Sequence, residues 1–248
     1  LLMENVKNLV GKKFKPQFDE WLKYLEGLGY TNYWQVLNAK DYGVPQNRER
    51  VFVVSILGEH TPYEFPKPIP LDKCIADILE DEVDEKYYIN KPFHLVDKGH
   101  QAELDIKGQD CIKRVYSADK IAPTLTASGE SGAKKILLPC IAASRGRYTE
   151  NLSDRTTGVP TEQRLEFNTK GTSNTITTVQ KDNYVVERTY RIRKLTPREC
   201  FRLMGMREDD IDKIQQAGIS DTQQYKMAGN SIVVNVLEGI FRNLFVKK

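Results

Sequence analysis

Histidine is scarce in this sequence and cysteine is scattered. Three histidines (His60, His94, His100) and four cysteines (Cys74, Cys111, Cys140, Cys200) with no CxxC spacing argue against a structural zinc site. Thiols so far apart fit a reducing, cytoplasmic compartment. No window reaches 18 uninterrupted apolar residues, which excludes a membrane-spanning helix. A dominant charge is missing too. Thirty-seven basic and 34 acidic side chains leave a formal charge of +3. That is too near neutral for a purely electrostatic nucleic-acid binder, though a locally basic face is allowed. What is present is an ordinary globular composition: 248 residues, 40% hydrophobic and 29% charged, enough for one large domain or two small ones.

The chain opens Leu1-Leu2-Met3-Glu4-Asn5-Val6, with no initiator methionine at position 1 and no signal-peptide pattern. Apolar residues running straight into Glu-Asn read as the end of a buried strand, and hence as a chain that begins part-way through a domain. Phe18, Trp21, Leu22, Leu25 and Leu28 recur at helical spacing behind Pro16, predicting a helix over 16–28 that ends near Gly29. Tyr33 to Asn38 and Val51 to Ile56 read as strands, the second apolar enough to be covered on both faces. This rhythm predicts an α/β sheet. Four prolines between 62 and 70 read as a linker, followed by a short helix over 71–79. From there to about Arg188 short β-prone pieces alternate with Gly, Ser, Thr and Asn. A local repeat, Ala122-Pro123-Thr124-Leu125-Thr126-Ala127 against Ser173-Asn174-Thr175-Ile176-Thr177-Thr178, reads as two similar strands. Short helices follow over 197–204 and 208–216. Ser231 is expected to cap a last helix reaching Phe245.

Four clusters carry possible chemistry, and each has a plain structural alternative. Glu4-Asn5-Val6 places a carboxylate at a strand end, where open α/β sheets bind ligands; a surface-loop glutamate gives the same pattern. Arg48 and Arg50 alternate with Glu49, so both project from one strand face and could hold a phosphate or a carbonyl oxygen. A salt-bridged strand end is their alternative. Between Arg191 and Arg207 lie six basic residues and one acidic residue, a charge that suits a polyphosphate backbone or simply a solvated helix. Within it Thr196 and Glu199 form a capping box around Pro197. Gly229-Asn230-Ser231 reads as a turn opening the last helix, whose backbone N–H groups could face an anion or serve as an ordinary cap.

In this order the four clusters resemble the later motifs of the DNA (cytosine-5) methyltransferase family. Glu4-Asn5-Val6 is similar to its Glu-Asn-Val motif, and Gln46, Arg48 and Arg50 to its Gln-x-Arg-x-Arg motif. Arg193 to Gly205 and Gln224 to Ser231 resemble its last two motifs. The resemblance implies a partial Rossmann-like, S-adenosylmethionine-dependent α/β sheet and a small mixed α+β target-recognition domain. Residues 1–66 would belong to the catalytic domain, 67–188 to the recognition domain, and 189–248 to closing helices that return to the first.

The resemblance also implies the chemistry: a thiolate adds to C6 of a flipped cytosine, and C5 takes a methyl group from S-adenosylmethionine. Glu4 would then meet N3, Arg50 would meet O2, and Arg48 would assist through phosphate or by ordering the site. Asn230 and Ser231 would lie at the cofactor. Arg193 and Arg198 would face the DNA, together with a Thr-Leu-type pair for which Thr175 is favoured and Thr124 is the rival. No metal is implied. The family's glycine-rich cofactor loop and Pro-Cys nucleophile loop both precede the Glu-Asn-Val motif, so this chain is expected to lack them. Pro139-Cys140 falls in the wrong order and reads as part of a strand. The expected partners are double-stranded DNA, the missing N-terminal half in cis or as a separate chain, and a second copy through an exposed sheet edge. The setting would be bacterial or phage restriction–modification. The alternative is a non-catalytic DNA-binding module derived from the family.

Overall fold

The computed structural model describes residues 1–97, 100–148, 161–168 and 189–246. Strand β1 (Leu2–Val6), helix α1 (Lys15–Gly27), β2 (Tyr30–Asn38), β3 (Gln46–Asn47) and β4 (Glu49–Leu57) build the first part. The apolar run in β4 is central, as its composition requires: Val51, Phe52, Val53 and Val54 are all buried. β4 lies between β1 and β2, and both pairings are antiparallel. So Glu4 does not sit at the carboxyl end of a parallel strand. It lies within an antiparallel edge strand, opposite Phe52. α1 covers one face of this sheet with Phe18 and Leu22, packed against Val53. Burying each such side chain contributes about 1.5–3 kcal/mol.

The middle of the chain adds β5 (Tyr88–Ile89), β6 (Phe93–Leu95), β7 (Ala102–Leu104), α2 (Asp110–Lys113), β8 (Arg114–Ser117), β9 (Ala122–Pro123), β10 (Lys135–Tyr148), β11 (Thr161–Asn168) and β12 (Thr189–Lys194). Most join one mixed sheet in the order β5-β12-β10-β8-β7-β6, with β11 on the far part of β10. β9 leaves it and pairs in parallel with β3. Cys140 lies on β10 opposite Thr189, a strand position as expected. The second half of the sequence repeat, residues 173–178, falls outside the described residues.

The chain closes with α3 (Pro197–Arg202), α4 (Glu208–Gln216), α5 (Asp221–Asn230) and α6 (Val234–Phe245). The Thr196/Glu199 capping box forms as its spacing requires. α5 was not expected from the sequence. The stretch 71–79 makes only a short 3-10 turn, Ile75–Ile78. The proline-rich segment is strapped down rather than hanging as a linker. The Tyr42 hydroxyl donates to the Pro66 carbonyl at 2.9 Å, and Asn243 donates to the Glu64 carbonyl at 3.0 Å. One hydrophobic cluster joins Phe52, Ile75, Leu125, Ile136, Phe201 and Ile240, so all three sequence segments share a core. The architecture is mixed α/β.

Candidate functional site around Glu4, Arg48 and Arg50

β1 and β4 run side by side with Val6 opposite Arg50, which brings Glu4 and Arg50 together across the sheet. Arg50 Nε lies 3.1 Å from Glu4 Oε1, and each side chain is less than one-fifth exposed. Arg48 sits behind them and is buried. Its guanidinium donates to three backbone carbonyls: Leu125 at 3.1 Å, Gly229 at 3.0 Å and Ser231 at 2.9 Å. Burial, and then the Arg50 charge, pull its pKa down to about 10 against the opposing pull of Glu4. Arg48 Nε is buried with no hydrogen-bond partner. The gap among Glu4, Arg48, Arg50, Phe52 and Val236 holds about 10 Å³, room for no more than one water. Arg50 Nε occupies the Oε1 side of the Glu4 carboxylate.

Gln46 is the residue that the sequence named in a motif without a role. It is fully buried, donates to the Leu203 carbonyl at 2.8 Å, and accepts from Leu125 N–H at 3.4 Å. Together with Arg48 it fixes the segment around Leu125 against the β3–β4 junction. Thr124 Oγ1 donates to the Asn47 carbonyl at 2.6 Å. Asn38 completes the arrangement by accepting from Arg48 N–H and donating to Asn47. A short polar residue ending β2 was the only sequence signal for it.

Gly229 explains the close approach of α5. A Cβ there would fall 2.4 Å from the backbone of Thr126, so only glycine admits this contact. Of the two threonine candidates, the structure places Thr124 beside Arg48's partners, while Thr175 lies outside the described residues.

Several expectations are corrected. Gly229-Asn230-Ser231 does not open the last helix; it ends α5. Ser231 N–H bonds to Met227 O at 2.9 Å, and its hydroxyl donates to the same carbonyl at 2.7 Å. α6 starts only at Val234, without a side-chain cap. Hence no free helix N-terminus exists at Ser231 to bind an anion. The Ser231 hydroxyl is engaged with Met227, and Asn230 is exposed.

Arg193 is not on a DNA-facing surface. It is 2% exposed and makes a two-pronged pair with the fully buried Glu199, at 2.7 and 2.6 Å. Glu199 also accepts from Thr196 and Glu80 N–H groups, so all its lone pairs are used. Arg198 is held by Glu208, Asp212 and Gln215. Of the remaining cations in this basic stretch, Arg191 meets Glu85, Lys194 meets Glu130, Arg202 meets Glu208 and Arg207 meets Asp210. The charge that looked free in the sequence is neutralised, for Arg191 and Lys194 by acids distant in sequence and for the others by acids within 14 residues.

Among the described residues no group of His, Cys, Asp and Glu could hold a metal ion. No described helix is long and apolar enough to cross a membrane.

The chain is 37% identical over 245 residues to the type II methyltransferase M2.ScrFI of Lactococcus lactis, covering 99% of this chain and 54% of that protein. It is 32% identical over 293 residues to the orphan methyltransferase M.SPBetaI of Bacillus phage SPbeta, covering 98% of this chain and 65% of that protein. It therefore spans between about half and two-thirds of the length of these relatives. Among solved structures, the Entamoeba histolytica methyltransferase EhMeth aligns with a TM-score of 0.60 at 17% identity, over 100% of this chain and 63% of that one. The Dnmt2 methyltransferase of S. pombe aligns at 0.59 with 18% identity, over 98% of this chain and 66% of that one. These two likenesses show a shared α/β methyltransferase fold. The sequence model of C-5 cytosine-specific DNA methylases matches residues 1–246, and the chain belongs to that family.

Proposed function

We propose that this chain supplies the base-holding part of a DNA (cytosine-5) methyltransferase that acts on duplex DNA in a bacterial or phage restriction–modification setting, in the cytoplasm. The observation that carries this is the Glu4–Arg50 contact, made by residues 46 positions apart, with Arg48 clasped behind it.

A thiolate adding to C6 of cytosine pushes negative charge onto N3 and O2. Two adjacent groups are needed there, one able to give a proton and one permanently positive. Glu4 and Arg50 fit: the carboxyl, once protonated, donates to N3, and the guanidinium faces O2. Both contacts strengthen as charge develops, so they favour the transition state over the ground state. Arg50 exchanges Glu4 for the base edge, which frees the carboxyl to meet N3. Arg48 does not touch the base in this reading; it orders the Leu125 and Ser231 segments. Thr175, or Thr124 once its hydroxyl leaves the Asn47 carbonyl, meets the phosphate beside the flipped nucleotide. S-adenosylmethionine, when bound, supplies the methyl group.

The nucleophile and the cofactor loop come from another segment, in cis or as a separate chain. Alone, the chain self-associates through the β1 edge and transfers no methyl group. Incubating it with duplex DNA and labelled S-adenosylmethionine gives background counts; turnover abolished by Cys140→Ser would overturn this. With the complementary segment supplied, Glu4→Gln lowers the single-turnover rate about 100- to 1000-fold, or roughly 3–4 kcal/mol, with little change in DNA affinity. A parental rate at saturating DNA would make Glu4 an ordinary surface residue.

A further inference from the structure

Gln46 and Arg48 are buried, yet Asn47 between them is exposed. Its orientation is nonetheless fixed. Asn38 Oδ1 accepts from the backbone N–H of Arg48 at 3.1 Å and from that of Lys40 at 3.4 Å. A backbone N–H can only donate, so these two bonds decide which end of the Asn38 amide is oxygen. Asn38 Nδ2 must therefore donate, and it does so to Asn47 Oδ1 at 2.8 Å. The same constraint passes to Asn47: with Oδ1 turned to Asn38, its Nδ2 is turned away. The Asn47 backbone is held as well. Asn47 lies opposite Pro123 in the parallel pairing of β3 with β9, and its carbonyl accepts from Thr124 Oγ1 at 2.6 Å. Among the described residues Asn47 Nδ2 has no hydrogen-bond partner. The fold thus presents a neutral double donor, already oriented, on an exposed position three residues from Arg50. Three residues of extended chain span about 10 Å.

We propose that Asn47 is a DNA-contacting residue whose side-chain amide donates to a backbone phosphate oxygen near the base that Arg50 meets. This rests on the methyltransferase reading. A phosphate offers acceptors only, and the free end of this amide offers donors only, so the two match without a turn of the side chain. A base edge mixes donors and acceptors and would suit a fixed double donor in some sequences alone. Orientation by Asn38 in advance lowers the entropy cost of the contact.

The test uses the full chain, with melting temperatures and salt-titrated binding to three duplexes of unrelated sequence. Asn47→Ala weakens binding about 10- to 100-fold, the loss expected for one hydrogen bond to a charged group. The factor is the same on each duplex, and the salt slope is unchanged because a neutral amide displaces no counterion. Asn47→Asp keeps the bond from Asn38 but turns a charged oxygen outward, so it binds more weakly than Asn47→Ala. Asn47→Lys places a cation at the phosphate and steepens the log–log slope by about 0.9. All three variants melt with the parent. Parental affinity in Asn47→Ala, or a parental slope in Asn47→Lys, overturns the contact. A loss that differs among the duplexes assigns the amide to a base edge and overturns the phosphate. A role confined to bracing Asn38 gives the opposite ranking: Asn47→Ala melts lower and binds weakly, and Asn47→Asp restores both; that result also overturns the proposal. A parent that binds no duplex DNA overturns the methyltransferase reading and this contact with it, whereas a binding parent with indifferent variants overturns the contact alone.

Discussion

Arg193 and Glu199 show how far a single side chain's role depends on what surrounds it. In the sequence Arg193 is one cation among six; in the fold it is the buried half of an ion pair with no lone pair to spare. Removing one partner of such a pair leaves an uncompensated charge in the interior, which costs about 3–5 kcal/mol. Arg193→Ala is therefore expected to lower the urea-unfolding free energy by that amount while leaving the salt slope of DNA binding unchanged. A shallower slope with parental stability would restore Arg193 as a phosphate contact. Arg48→Lys addresses the second clasp. One ammonium cannot span the three carbonyls that the guanidinium holds, so the variant should lose stability even though its charge is kept. Chemical denaturation reads this directly, and a parental midpoint would show that the three-way clasp contributes little.

At the level of elements, α5 and the α3–α4 pair are joined to the rest by two different devices. α5 docks through Gly229, where a methyl group has no room beside the Thr126 backbone. Gly229→Ala is expected to destabilise by about 1–3 kcal/mol despite alanine's better helix propensity, because the helix must shift away. Calorimetry checks the sign, and a stabilised variant would mean that the Thr126 segment yields freely. α3 and α4 are joined by Arg198 and Arg202 meeting Glu208. Hydrogen bonds from Arg202, ahead of those from Arg198, hold the Glu208 carboxyl below its ordinary pKa of 4.5. A carboxyl depressed in the folded state contributes stability that is fully present above its unfolded pKa and is lost as pH falls through the folded one. The Glu208 contribution is thus expected to fade below about pH 4.5, and Glu208→Gln should flatten that part of the stability curve. Urea midpoints measured down through that range test it. Glu208 is half-exposed, so the effect is modest and weakens with salt.

For the molecule as a whole, the sheet edge at β1 and the end of α6 leave an apolar opening. Leu1, Leu57, Phe241 and Phe245 are exposed around a cleft of about 610 Å³ that also contains Leu2, Val54 and Leu244. An unpaired edge beside an apolar cleft is a template for association. Sedimentation velocity of the isolated chain is expected to show a dimer or larger species, dissociated by Leu1→Lys with Phe245→Lys. A monomer at high concentration would mean that the opening is too shallow to hold a second copy.

Local pattern alone determined much of this protein. α1, β2, β4, α3, α4 and α6 were legible from periodicity, because each buries one face or run against a continuous core and the spacing of apolar residues records which one. The Thr196/Glu199 cap was legible for the same reason, since all its parts lie within four residues. Glu4, Arg48 and Arg50 stood out through their resemblance to family motifs. Tertiary structure decided whether each charge was free or spent. Arg193, Arg198 and Lys194 lost their apparent freedom to Glu199, Glu208, Asp212 and Glu130, and no spacing rule relates Lys194 to an acid 64 residues earlier. It also decided that Ser231 ends one helix rather than beginning the next. A serine with apolar residues on one side fits either role, and only the hydrogen bond to Met227 distinguishes them. Contacts distant in sequence leave no period behind, so the partner of a charged side chain is written only in the fold.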